Sequence, residues 1–237
     1  MKNNNKFRLD VWGAITLGTI ALYVLFLLYP MAYLIRQSVL DPDTGGFTLA
    51  YFTKFFSKSY YFDTLINSFK VSITATVLSI AIGTPLAYLF TIFKIKGKPV
   101  LNILIVVASM SAPFIGAYSW ILLLGRSGII TTFFKNLGIA IPDIYGFGGI
   151  VLVMTLQLFP LVFLYAKGAL KNIDNSLIEA AENLGCSGIA CFFKVVVPLI
   201  MPTLLAAALL VFMRSFADFG TPMLIGEGYR TFPVVLY

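Results

Sequence analysis

The sequence contains no histidine, only two cysteines and few charged side chains. Without histidine, a His-based catalytic triad, a His-ligated metal site and a His proton relay are all excluded. Cys186 and Cys191 are too few for a Cys-only cluster and lack the spacing of a zinc site, so we interpret both as small apolar residues. Charged residues occupy 11% of the 237 positions, against about a quarter in an ordinary soluble domain. That is too little charge to cover a water-facing surface.

Hydrophobic residues are abundant instead. They account for 59% of the sequence, and the mean hydropathy of +0.92 is typical of a polytopic membrane protein. The net charge of +7 would suit a nucleic-acid partner, but the basic residues lie at the ends of hydrophobic stretches. This placement is typical of membrane topology, so we expect membrane lipid, and no nucleic acid, as a partner.

Five charge-free stretches are long enough, or nearly so, to cross a bilayer as helices. A helix rises 1.5 Å per residue, so about 20 apolar residues cross the hydrocarbon core. The fold class is therefore predicted to be an all-α polytopic membrane protein. Pro198 and Pro202 are expected to start the fifth span. The predicted spans are Val11–Ile35, Val71–Phe93, Pro99–Gly125, Ile144–Ala166 and Val195–Met213.

Basic residues predict the orientation of these spans. Lysine and arginine in short flanks favour the cytoplasmic side, and three basic flanks fall on one side if five helices alternate. The N-terminus is therefore predicted to be cytoplasmic. The final residues, "YRTFPVVLY", resemble the start of another apolar segment, so we expect a missing sixth span and a chain truncated at its C-terminal end. The basic flanks contain Lys2, Lys6 and Arg8; Lys94, Lys96 and Lys98; and Lys167, Lys171 and Lys194.

The longest predicted cytoplasmic connection, residues 167–194, carries a helical pattern of its own. Ser176 and Glu179 form a capping box, in which each side chain bonds to the other's backbone N–H. Gly185 fits the position just past a helix end, where a left-handed conformation is needed, and Ser187 can cap a second short helix. Small and apolar residues share one face of the first helix: Leu177, Ile178, Ala180, Ala181 and Leu184.

This short helix also bears acids, namely Asp174, Glu179 and Glu182. An interfacial helix on an anionic inner leaflet is normally rich in lysine and arginine. An acid-bearing helix is better suited to a protein partner with a basic groove. Leu177 and Leu184 are expected to pack the helix against its own loop.

The spacing within this loop resembles the EAA loop of bacterial ABC importer permeases. That pattern is Glu-Ala-Ala, three residues, Gly, nine residues and then Ile-x-Leu-Pro, and here "EAAENLG" is followed after nine residues by "VVVP". Val195 and Val197 stand where Ile and Leu are usual, which keeps the apolar character. The matching residues are Glu179, Ala180, Ala181, Gly185 and Pro198.

Three other segments resemble the ferric-iron-type permeases of this superfamily. Related permeases for polyamines, thiamine, sulfate and phosphonates share parts of these patterns. The expected substrate is therefore ferric iron, with those other solutes as alternatives. The segments are "GTPLAYLF", "SAPFIGAYSWILLLGRSGII" and "FADFGTPMLIG", and the matches together cover most of residues 70–230.

The resemblance implies a type I ABC importer transmembrane domain, with six core helices in each of two facing halves. It also implies that the chain is not an enzyme and holds no cofactor, because a dimer of separate ATPase subunits binds ATP and Mg and docks on the EAA loop. A solute-binding protein outside the cytoplasm delivers the substrate. The second permease half would come from a homodimer, a heterodimer or a fused twelve-helix chain, and the expected location is the bacterial inner membrane.

Arg214 and Asp218 lie four residues apart near the predicted outer end of the fifth span. A charge at the bilayer centre costs about 2.5–3.5 kcal/mol, and less near the edge. One interpretation is an ion pair that anchors the helix end; the other is contact with the binding protein or the entering solute. Further polar groups could line the pathway, although hydrogen bonds between helices explain each at least as well: Asn67, Tyr118, Thr155 and Gln157.

Two other classes of protein fit the sequence less well. An ion-coupled secondary transporter usually keeps intramembrane acids for coupling, and the predicted spans contain none. A membrane-embedded enzyme needs a catalytic constellation that is hard to build without histidine or paired carboxylates.

Overall fold

The computed structural model describes residues 11–41, 45–93, 95–139, 142–186 and 188–236. The chain divides into two compact units, Met1–Phe62 and Asp63–Tyr237. Within the described ranges every helix-or-strand element is a helix, and one isolated bridge joins Leu40 and Phe47. The predicted all-α class and five apolar spans are confirmed, and the spans are Val11–Ser38, Ser59–Ile92, Pro113–Asn136, Phe147–Lys171 and Gly188–Phe216.

The first unit contains one long helix that holds the first predicted span. It consists of α1 (Val11–Tyr23), a π-helical turn (Val24–Leu28) and α2 (Tyr29–Ser38), and α3 (Ala50–Ser57) follows. The π-helical turn comes just before Pro30, whose ring in a regular helix would clash with the carbonyl four residues earlier. Widening the turn lets the helix continue through the proline. None of the residues of α1, the turn or α2 is buried.

The helix Phe147–Lys171 is the centre of the second unit and carries much of its buried core. It packs against two earlier helices, Lys98–Ser109 and Pro113–Leu124, and against two later ones, Val197–Phe216 and Gly220–Ile225. The remaining helices are α4 (Ser59–Ile92), α5 (Lys98–Ser109), α6 (Pro113–Leu124), α7 (Ile129–Asn136), α8 (Phe147–Lys171), α9 (Asn175–Asn183), α10 (Gly188–Cys191), α11 (Val197–Phe216), α12 (Gly220–Ile225) and α13 (Phe232–Leu236).

Helices α4 and α8 approach closely at Gly83. A Cβ on this residue would lie 2.8 Å from the Val162 Cβ and 2.9 Å from the Phe159 carbonyl oxygen. Small residues permit such approaches between membrane helices. Nearby, the rings of Phe90 and Phe163 meet edge to face with centroids 5.2 Å apart. Gly83 therefore serves helix packing.

The third predicted span, Pro99–Gly125, is not one helix, and this prediction is wrong in detail. The chain breaks between α5 and α6, around Ser111. Pro113 is the cause, because a proline disfavours the helical conformation of the residue before it. Ala112 is accordingly extended, with φ −69° and ψ 143°. Pro113 then occupies the first turn of α6, where its missing N–H removes no hydrogen bond.

The fifth span begins earlier than the predicted Val195. Its helix starts at Gly188 and continues through α10, a π-helical turn (Phe192–Val196) and α11. Pro198 therefore lies inside the helix, just after a π-helical turn that accommodates its ring as the first one does for Pro30. Because α8 also extends to Lys171, the connection predicted at residues 167–194 narrows to residues 172–187.

Candidate functional site

Helix α9 begins with a cap from Asp174. The Ser176 N–H donates to Asp174 Oδ1 at 3.0 Å, and the Leu177 N–H donates to the Asp174 carbonyl oxygen at 3.0 Å. Donation from the Ser176 backbone, and then from its hydroxyl, lowers the pKa of the Asp174 carboxyl. The predicted capping box of Ser176 and Glu179 is wrong, because the helix starts at Asn175 and Ser176 lies inside its first turn.

Helix α9 ends at a glycine corner, as predicted. Gly185 has a φ of +84°, and the Cys186 N–H donates to the Ala181 carbonyl oxygen at 3.0 Å. This bond is typical of a Schellman ending. A Cβ on Gly185 would meet nothing within 4 Å, so the backbone conformation, and not a lack of space, favours glycine here. The cap predicted at Ser187 lies outside the described residues.

The surface of α9 is open. Glu179 and Ala180 are exposed and Ala181 is half-buried. Leu177 is 50% exposed and Leu184 is 89% exposed, so the expectation that both pack against their own loop is wrong. Exposed leucines beside a carboxylate suit a groove on another protein, since apolar surface of this kind marks interaction sites.

Pro198 lies apart from this surface. It is the second residue of α11 and is exposed, while α9 packs next to the π-helical turn that precedes it. The five residues that match the EAA pattern are therefore divided between two places. Four lie on α9 and its corner, and Pro198 lies within the fifth span.

A cavity of about 490 Å³ opens beside the break between α5 and α6. We call it the break cavity. Its volume is typical of sites that hold small molecules. Its polar walls are Ser109, Ser111, Gln157, Arg214 and Asp218.

The break cavity reaches from the middle of α8 to the end of α11. Gln157 is about 15 Å from one end of α8 and about 21 Å from the other, at 1.5 Å per residue. Ser215 donates from its hydroxyl to Met154 Sδ at 3.1 Å, which places the end of α11 beside the part of α8 that lies about 10 Å from Phe147. Arg214 lies in the last turn of α11 and Asp218 follows that helix, so both lie near the end of the fifth span, as predicted.

Asp218 caps the start of α12. Its Oδ1 accepts from the Gly220 N–H at 2.9 Å and from the Thr221 N–H at 3.3 Å, and its Oδ2 accepts from the Thr221 hydroxyl at 2.6 Å. In the described residues no ion pair joins Arg214 to Asp218. The predicted pair of Arg214 with Asp218 is wrong, because the carboxylate turns toward α12.

The four other polar candidates have different surroundings. Gln157 lines the break cavity, and its Nε2 donates to the Ser111 carbonyl oxygen at 3.3 Å. Thr155 is buried in the core, and Tyr118 is 57% exposed. Asn67 donates to a backbone carbonyl shortly before α13, at 3.1 Å. Of these four, Gln157 is the one that lines the same cavity as Arg214.

A cluster around Arg126 was missed by the sequence analysis. Its Nε lies 3.0 Å from Asp143 Oδ2, and its Nη2 lies 2.9 Å from Glu227 Oε1. The guanidinium also lies 4.7 Å from the centre of the Tyr145 ring. Glu227 has a φ of +47°, which is uncommon for a residue other than glycine. The motifs "GRSG" and "GEG", each a charge between glycines, are the signals in the sequence.

Comparison with known proteins gives matches along most of the chain. Residues 46–236 match the family described as the binding-protein-dependent transport system inner membrane component. A putative ferric transport system permease, FbpB 1 of Haemophilus influenzae, is 28% identical over 92% of this chain. The chain spans only 34% of the length of that relative and of the ferric permease FbpB of Actinobacillus pleuropneumoniae. The spermidine/putrescine permease PotB of Haemophilus influenzae is 29% identical over 94% of this chain and 79% of its own.

Two solved structures share the fold. A bacterial ABC transporter involved in the import of the polysaccharide alginate superposes with a TM-score of 0.73 at 17% identity, covering 96% of this chain and 82% of that one. The alginate transporter in complex with its alginate-bound periplasmic protein gives a TM-score of 0.75 at 16% identity, covering 94% and 78%. The expected fold of an ABC importer transmembrane domain is confirmed.

Proposed function

Because the chain belongs to the family of binding-protein-dependent transport system inner membrane components, we propose that it is a permease subunit of an ATP-driven importer. The observation that carries this proposal is the exposed, acid-bearing surface of α9 between two spans. Its cap at Asp174 and its corner at Gly185 hold the helix in shape without covering it. Such a surface suits a site where a membrane subunit binds the protein that drives its conformational change.

The partner at α9 is a dimer of ATPase subunits, which bind ATP and Mg and carry out the hydrolysis. Glu179 pairs with a basic residue of the ATPase, where a charge pair fixes register more than affinity. Leu177 and Leu184 enter apolar positions of the same groove, and their exposure supports this role. Ala180 and Ala181 let the helix approach closely. This chain supplies no catalytic group to the ATPase reaction.

The end of α8 that leads to α9 faces the cytoplasm in this proposal. Lys98 and Lys171 lie close enough to Lys167 there to act on its charge, and basic flanks favour the cytoplasmic side. The N-terminus is then cytoplasmic as well. The Arg126 cluster faces the opposite side, toward a solute-binding protein. The alginate transporter, which was solved with a periplasmic protein, supports that partner.

A complete pathway needs a second permease half, from another copy of this chain, a different chain or a fused partner. Closure of the ATPase dimer moves α9 in each half. The spans then alternate between inward-facing and outward-facing arrangements around a central pathway, as hinge and shear motions allow.

Ferric iron is the proposed substrate, because the ferric relatives align with 92% and 100% of this chain. Polyamine import is the second candidate. The PotB relative favours it, since the alignment covers 79% of that protein.

The substitution Glu179→Arg tests the docking role. The side chain is exposed, so membrane insertion should be unchanged, while ATP-coupled uptake in proteoliposomes should fall by more than about tenfold because the reversed charge releases the ATPase. Glu227→Arg is the matched control, a charge reversal at the other end of α8 that should leave co-purification of the ATPase unchanged. An undiminished yield of ATPase with Glu179→Arg would contradict the proposal.

A further inference from the structure

Arg214 places a cation on the wall of the break cavity, in the last turn of α11. A charged side chain within a membrane span is costly in lipid and is found facing cavities, pathways and partners. No hydrogen bond or ion pair joins Arg214 to another group in the described part of the chain. Its guanidinium therefore keeps its five N–H donors for something outside those residues.

Asp218 does not neutralise this cation, although it lines the same cavity. Its carboxylate is held by the start of α12 through three hydrogen bonds. That turn is itself fixed against α6, because a Cβ on Gly220 would lie 3.2 Å from the Phe114 backbone nitrogen and ring. Turning the carboxylate toward Arg214 would break all three bonds.

The other polar walls of the break cavity add neutral groups. Gln157 Nε2 uses one of its two hydrogens in the bond to the Ser111 carbonyl oxygen, which leaves the second for another acceptor. The Ser111 side chain is exposed on the cavity wall. An arginine with neutral donors beside it is the arrangement that binds carboxylate and phosphate oxygens, since the guanidinium fork matches their geometry.

We propose that the break cavity binds an oxyanion group of the transported solute through Arg214 and Gln157. The importer then carries an anion or an anionic chelate and rejects free polyamines. This inference rests on the proposed function as an importer. Ferric iron would cross as a complex with carboxylate or phosphate ligands, whereas a polyamine would bring like charge to Arg214, and like charges in a site select against a ligand.

The charge of the break cavity can be measured before the solute is identified. A thiol is introduced by Ser111→Cys in a chain that carries Cys186→Ser and Cys191→Ala, assembled with its partner subunits in lipid nanodiscs. Its modification rate with a sulfonate-bearing methanethiosulfonate is divided by its rate with a trimethylammonium-bearing one. This ratio of the anionic to the cationic rate cancels the reactivity of the thiol itself. The anionic reagent should be favoured, and Arg214→Gln should lower the ratio about tenfold because a nearby charge is removed.

Two controls keep this measurement specific. Arg214→Lys retains the charge and should retain most of the ratio, which separates charge from misfolding. A thiol from Thr132→Cys, on α7, should give a ratio that Arg214→Gln leaves unchanged. A ratio at Ser111→Cys that does not respond to Arg214→Gln overturns the inference.

Protection of the same thiol tests the solute class. Ferric citrate or inorganic phosphate should slow modification when Arg214 is present and should lose this effect with Arg214→Gln, while spermidine should not protect. Protection by phosphate points to a phosphate-type ligand, and protection by ferric citrate alone points to a carboxylate chelate. Protection by spermidine, or by neither anion, overturns the inference and leaves the Glu179→Arg result intact. If Glu179→Arg leaves the ATPase bound while the cavity proves anion-selective, that result contradicts the proposed importer function and not the charge of the cavity.

Discussion

The two ends of α8 are stabilised in different ways. At the end that begins with Phe147, Arg126 joins segments far apart in sequence through Asp143 and Glu227. At the other end, α9 is held by bonds within its own loop, from Asp174 at its start and at Gly185 after its end. One end is held together by contacts between distant segments, whereas the other presents a locally stabilised helix whose surface is exposed.

This difference bears on how the molecule moves. Local bonds preserve the shape of α9 whatever lies around it, so the helix can shift as a unit when a partner moves. Bonds between distant segments resist relative displacement of the loops they join. We therefore expect substitutions that disturb packing to destabilise the Arg126 end. At the other end, substitutions that change the direction or the charge of α9 should lower transport.

Gly149→Ala should have the largest effect, at the Arg126 end. A Cβ on Gly149 would lie 1.3 Å from the Ile144 carbonyl oxygen, so the loop that carries Asp143 must move, with a cost above about 4 kcal/mol, as expected for severe overpacking. The yield of monodisperse protein in detergent should collapse. The neighbouring Gly148 has open space around its Cβ position, and Gly148→Ala should express normally. Equal yields of the two variants would contradict the steric argument.

Gly185→Ala should have a smaller and more selective effect, at the α9 end. The site has open space, but its φ of +84° costs an alanine about 1–2 kcal/mol. The strain should tilt α9 without unfolding the spans, so ATP-coupled uptake falls severalfold while protein yield is kept.

Two companion variants sharpen the Gly185 measurement. Gly185→Asn should recover part of the uptake, because asparagine tolerates the left-handed conformation. Gly168→Ala, on α8 with open space at its Cβ position, should leave uptake unchanged. Equal uptake by the asparagine and alanine variants would show that the left-handed conformation at Gly185 is not the cause of the loss.

The sequence predicts those features that depend on local chemistry. Apolar length predicted five spans, and the glycine after "EAAENL" predicted the turn at Gly185. Pro113 carries no local sign that separates a kink from a break, so the division between α5 and α6 was missed. A helical pattern gathers Leu177 and Leu184 on one face, but it does not say what covers that face, and the structure leaves both exposed.

Residues that depend on distant partners were harder to predict. Spacing alone favoured an ion pair of Arg214 with Asp218, yet the start of α12 competes for the carboxylate through Thr221. Arg126 meets Glu227 only because α6 and α12 pack together. The roles of Glu179, Ala180, Ala181, Gly185 and Pro198 in docking stay predictions, because they concern a protein outside the chain.

Glu227 provides the smallest test, at the Arg126 end. Its φ of +47° is strained for a glutamate, and its carboxylate lies 2.9 Å from Arg126 Nη2. Glu227→Ala keeps the strain and loses the ion pair, whereas Glu227→Gly loses both. Amide hydrogen exchange in residues 226–229 should therefore be fastest for the alanine variant, with the glycine variant between it and the unsubstituted protein.

Salt then separates the ion pair from the backbone strain in this loop. The pair is exposed, so at about 1 M salt screening should weaken it, and exchange in the unsubstituted protein should approach that of Glu227→Ala, which has the strain without the pair. The gap between the alanine and glycine variants should persist, because strain is not screened. Amides at the α9 corner should not respond to salt, since no ion pair holds that turn in the described residues. If glycine instead slows exchange at low salt, then strain outweighs the pair and Arg126 does not hold this end of α8 together.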